Sequence, residues 1–168
     1  YDVKNKTVER FEPHGSSSPV GLNYSPGLLD EVLEARFKTI NDDIKYFAPS
    51  KFLPKIGFQM MDLFESNRKK IGDPGGFCAL WSIWYVDMRI KYKNLMPDEL
   101  VKILIRSIKT QNISVRNMIR NYAINVIKIR DDVLSKVGID INDWLNDTYT
   151  DDQINGVIEQ IQNMIGKL

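Results

Sequence analysis

Cys78 closes the stretch Gly75-Gly76-Phe77-Cys78 and is the one cysteine among 168 residues. Cysteine chemistry runs through the thiolate, so a reactive cysteine needs surroundings that favour the anion. The start of a helix supplies them. First-turn N–H groups lack intrahelical partners, and the helix dipole places partial positive charge there. Gly75 and Gly76 allow the backbone to approach a substrate closely, with N–H groups free to hold an oxyanion. These residues point to covalent, nucleophilic chemistry. The plain alternative is a small buried apolar residue, because free cysteine is among the most buried residue types. Glu12 is the second candidate, in Arg10-Phe11-Glu12-Pro13-His14-Gly15. A carboxylate there can orient a histidine and stabilise its imidazolium form, or it is simply an exposed strand-end residue. His14 is the one histidine of the chain. In an extended segment residues 12 and 14 share a face, which makes a local Glu12–His14 pair available.

The elements that must position these residues follow from local patterns. Tyr1–Val3 and Thr7–Phe11 flank the polar turn Lys4-Asn5-Lys6 and read as a hairpin. Pro13 and Gly15 stop the second strand, and residues 15–21 read as a loop. Ser25 and Pro26 open a helix whose apolar residues Leu29, Val32, Leu33, Phe37, Ile40 and Ile44 recur at helical spacing. Pro49 and Pro54 end that segment. A short strand is expected around Ile56 to Met60, then a polar loop closing on Pro74-Gly75-Gly76. From Cys78 onward the pattern is helical. Ala79 to about Lys91 is mostly apolar and is expected to be buried, with Trp81, Trp84 and Tyr85 as core. Pro97-Asp98-Glu99 starts the next helix, its acids placed where the dipole favours them. Ile113 to Val137 is a long amphipathic helix ending at Gly138. Thr150 to Gln153 forms a capping box before the last helix. Arg106, Arg116, Arg120 and Arg130 sit on helices with interspersed acids, and most of them are expected to be solvated. The fold class is α+β: a small mixed sheet packed on a central helix that opens with Cys78, followed by a helical C-terminal half.

Composition sets outer bounds. Net charge is +1, from 23 basic and 22 acidic residues, which gives no electrostatic footprint for nucleic acid or an anionic membrane surface. No apolar run is long enough to span a bilayer. A single cysteine cannot form an internal disulfide, which points to a reducing compartment. One Cys and one His support no metal site. Tyr1-Asp2-Val3 reads as strand interior, so the chain is expected to be the C-terminal part of a longer protein.

Taken together, Arg10-Phe11-Glu12-Pro13-His14-Gly15 and the later GGFCALWSIWY, residues 75–85, resemble the adenovirus-endopeptidase and ubiquitin-like-protein protease clan of cysteine peptidases, in the versions carried by large DNA viruses. The resemblance covers roughly residues 1–92, as the C-terminal part of a papain-like protease core, and leaves 93–168 as a helical extension packed on it. It implies that Cys78 is the nucleophile and Glu12 the acid of the triad. It implies Gln59 as an oxyanion-hole donor, although in the clan that glutamine lies just before the cysteine, where this chain has Gly72 and Asp73. The clan's histidine precedes the acid, which places the base upstream of Tyr1, with His14 as the rival. The implied substrate is a viral precursor or a ubiquitin-like conjugate, with no cofactor, in a cytoplasmic or virion-associated setting. A chain without its base would be a non-catalytic member of that fold, a structural or partner-binding virion component. A third reading is an unrelated helical interaction module with Cys78 in its core.

Overall fold

The computed structural model describes residues 1–17, 23–65 and 76–165. It is mostly helical, with one small sheet, and is α+β in that broad sense. Strand β1 (Thr7–Glu9) pairs in parallel with β2 (Lys45–Phe47), Val8 lying opposite Tyr46. The sheet is therefore parallel, not mixed. The expected hairpin shrinks to one antiparallel bridge between Asp2 and Thr7. Its first arm has nothing to bury: Tyr1 and Val3 are 67% and 74% exposed, whereas Val8, Ile44, Tyr46 and Ala48 form a core together. Burial decides the pairing, because a strand pair is stabilised by its side-chain neighbours.

Helix α1 (Pro26–Ile40) opens as expected, with the Ser25 hydroxyl accepting from the Leu28 N–H at 3.4 Å. It ends at Ile40, one turn earlier than the periodicity suggested. Asn41 is extended, and its side chain accepts from the Asp43 N–H. Ile44 thus leads into β2 rather than closing α1. Pro49 starts a short helix, α2 (Pro49–Phe52), as its locked φ permits. The strand expected at Ile56 to Met60 is instead helix α3 (Phe58–Phe64). Its buried residues Phe58, Gln59 and Asp62 follow a helical period, and methionine and leucine favour helix once Gly57 has turned the chain.

Helices α4 (Cys78–Lys91), α5 (Pro97–Thr110), α6 (Val115–Lys136), α7 (Ile141–Leu145) and α8 (Asp151–Ile165) complete the described chain. Trp81, Trp84 and Tyr85 of α4 are buried, but Ile83, Val86 and Ile90 on the opposite face are 49%, 54% and 59% exposed. The expected burial of α4 therefore holds for one face, that of Trp81, Trp84 and Tyr85. The polar segments at Asn67–Lys70 and Gly72–Gly75 lie outside the described residues.

The chain divides into two compact units, Tyr1–Ile119 and Arg120–Leu168. In the first, Phe58 stacks on Trp81 with centroids 5.4 Å apart, Trp84 meets both edge-on, and Phe11 stacks on Tyr85 at 4.2 Å. Arg116, one of four helix arginines of which most were expected in solvent, is buried: its Nε donates to Asp62 Oδ1 and its Nη2 to the Asp62 carbonyl. Glu65, just past α3, caps the start of α6 by accepting from the Val115 N–H at 2.8 Å and the Arg116 N–H at 3.3 Å. The second unit holds a small core of Val133, Leu134, Ile139 and Val157, with Trp144 and Tyr149 against it. Gly138, at φ +69°, lets the chain leave α6, and the Ile139 N–H returns to the Leu134 carbonyl. The expected capping box forms, the Gln153 side chain accepting from the Thr150 N–H and the Thr150 hydroxyl from the Gln153 N–H.

Candidate functional site

The segment leaving β1 carries Glu12 and His14. The carbonyl of Glu12 accepts from the Gly15 N–H, which curls residues 12–15 into a turn. Within it Glu12 Oε1 lies 2.9 Å from His14 Nδ1 and also accepts from the His14 backbone N–H at 3.2 Å. The local pair that the sequence left as an alternative is therefore formed. Tyr24 donates its hydroxyl to the other carboxylate oxygen, and Arg10 stands 3.9 Å from it. Burial, and then the Glu12 carboxylate, raise the Tyr24 phenol above its ordinary range.

Two glycines let this turn sit directly on the start of α3. Gly15 has φ +112°, a conformation that favours glycine, and a Cβ there would lie 2.5 Å from the Gly57 nitrogen. A Cβ on Gly57 would lie 2.4 Å from the Gly15 nitrogen. The backbones bond across this contact: the Gly57 N–H donates to the His14 carbonyl and the Gln59 N–H to the Pro13 carbonyl. Gln59 then reaches the far side. Its side-chain oxygen accepts from the Phe77 N–H at 2.8 Å, and a Cβ on Gly76 would meet its Nε2 at 3.1 Å. Gln59 is 2% exposed and ties three segments together: the Glu12–His14 turn, α3, and the residues that open α4.

Cys78 is the first residue of α4, and it is exposed. The reading of Cys78 as a core residue is corrected by that exposure. The tryptophans one turn and two turns later fill the core instead. The carbonyl of Cys78 accepts from the Ser82 hydroxyl. Among the described residues, no group of three or more His, Cys, Asp and Glu is arranged to hold a metal ion, and no helix is long and apolar enough to cross a membrane.

Sequence reasoning missed the polar groups that fix this frame. Glu9 receives Arg89 through Nε and Nη2, and the Tyr85 hydroxyl at 2.9 Å. Arg89 also donates to the Leu95 carbonyl. Burial, and then the Glu9 carboxylate, raise the Tyr85 phenol far above its ordinary value. Asp30 accepts from Arg10 and from the Tyr46 hydroxyl. Burial disfavours the Asp30 anion, but these donors outweigh it and leave its carboxyl below the usual range. The partners are as much as 80 residues apart in sequence, and no local pattern marks them.

Comparison with known proteins changes the functional reading. No family model matches the chain, and no solved structure does. The chain is 47% identical over 158 residues, 89% of its length, to a protein of Acanthamoeba polyphaga mimivirus named as an ankyrin repeat protein. The matched stretch is 21% of that relative, so the chain spans about a fifth of its length. This finding overturns the resemblance to the cysteine-peptidase clan and the function drawn from it. The catalytic roles carried over to Cys78, Glu12 and Gln59 lose their basis with it, as does the protein substrate. The two motifs behind the resemblance are short, and the fold uses many of their residues structurally. Phe11, Trp81, Trp84 and Tyr85 are packed aromatics, and Gly15 permits a backbone contact.

Proposed function

We propose that this chain is a protein-interaction segment, working beside the repeats of an ankyrin repeat protein rather than as a stack of them. The observation that carries the reading is the 47% identity to a protein so named, together with its 21% share of that protein. An ankyrin unit is a turn and two helices recurring every ~33 residues. The described helices, of 15, 4, 7, 14, 14, 22, 5 and 15 residues, do not recur in that way. The exposed surface supports a binding role. Ala79, Ile83, Val86 and Ile90 follow a helical period along the outer face of α4, and all four are exposed. Ile158, Ile161 and Ile165 do the same on α8. Contiguous apolar surface of this kind marks interaction sites in proteins that otherwise bury it.

The test places a photo-crosslinking residue at Ile83 or at Ile161, in separate preparations, in cells that make the protein. The expected result is a small, defined set of cross-linked proteins, lost when Val86→Lys or Ile158→Glu is added to the same face. Cross-links that are diffuse, and unchanged by those substitutions, would overturn the reading.

A further inference from the structure

No further inference is drawn: the strongest candidate, the apolar row Ile158, Ile161 and Ile165 on the exposed face of α8, carries nothing because nothing in the structure shows what covers it.

Discussion

The two compact units are held by different physics. In Tyr1–Ile119, carboxylate–guanidinium pairs link distant segments: Arg10 to Asp30, Arg89 to Glu9 and Arg116 to Asp62, at separations of 20, 80 and 54 residues. Each pair is largely shielded from water, and two backbones touch at Gly15 and Gly57. In Arg120–Leu168, Arg130 pairs with its chain neighbour Asp131 at the surface. That unit also has a small apolar core and a capped start to α8. The difference teaches how each unit should fail. A directional polar lock fails abruptly when one partner is removed, because the other is left buried and charged. A small apolar core weakens in proportion to the surface and volume lost.

The largest effect should come from Arg116→Ala. Asp62 is 1% exposed, and its Oδ2 has no hydrogen-bond partner among the described residues. Removing the guanidinium leaves that carboxylate unpaired, at an expected cost of about 4 kcal/mol in denaturant unfolding. The double change Arg116→Met with Asp62→Leu should recover most of that loss. If the double variant is as weak as the single one, the lock is not electrostatic. Gly15→Ala should come next, at about 3 kcal/mol, since its Cβ meets backbone atoms that cannot swing away and its φ is strained for alanine. A Tm unchanged by this substitution would show that the Gly15–Gly57 approach is not as close as described.

Val157→Ala tests the other side of the comparison. It should cost about 2 kcal/mol, read as faster hydrogen exchange at Leu134 and Ile139. A cost as large as that of Arg116→Ala would erase the distinction between the units. Tyr85→Phe sharpens it through pH. As pH rises past about 10, an unfolded phenol releases its proton while the folded Tyr85 keeps it. The stabilisation from Tyr85 is therefore intact below about pH 10. Above that it falls by up to about 1.4 kcal/mol per pH unit. Tyr46, pushed up to about 12 by burial and then by its hydrogen bond to Asp30, acts in the same direction. Tyr85→Phe should cost about 1 kcal/mol at neutral pH and flatten the alkaline slope measured by thermal unfolding between pH 9 and 11. An unaltered slope would remove Tyr85 from the network. The smallest effect on stability is expected for Ile161→Glu, within about 0.5 kcal/mol, because the residue is 45% exposed. A large loss would mean that Ile161 belongs to the core of its unit.

Legibility varied with the range of the interaction. The opening of α1 at Ser25 and Pro26, the acidic first turn of α5, the Gly138 exit and the Thr150–Gln153 box all appear where the sequence placed them. Each is decided by neighbours within about four residues. β2 was missed because Ile44 fits the helical period of α1, and the pairing with β1 depends on a core that Val8 and Tyr46 build across the fold. α3 was misread because five residues with mixed spacing do not distinguish strand from helix. At the candidate site, the sequence raised the Glu12–His14 pair from i, i+2 spacing in an extended segment, whereas the structure forms it within a turn closed by the Gly15 N–H on the Glu12 carbonyl. The exposure of Cys78 was not foreseeable, because a residue at a helix start can face either way.

The sequence by itself determined the starts of α1, α4, α5 and α8, the Gly138 exit from α6, the aromatic composition of α4 and the absence of a membrane-spanning helix among the described residues. These rest on local backbone preferences and on the free energy of burying apolar side chains. Only the tertiary structure decided that Gln59 fastens the Glu12–His14 turn to the start of α4, that Arg116 is buried against Asp62, and that one face of α4 stays bare. These outcomes depend on which distant segments meet. A hydrogen bond or ion pair between residues 18 or 54 positions apart leaves no periodic trace in the chain that makes it.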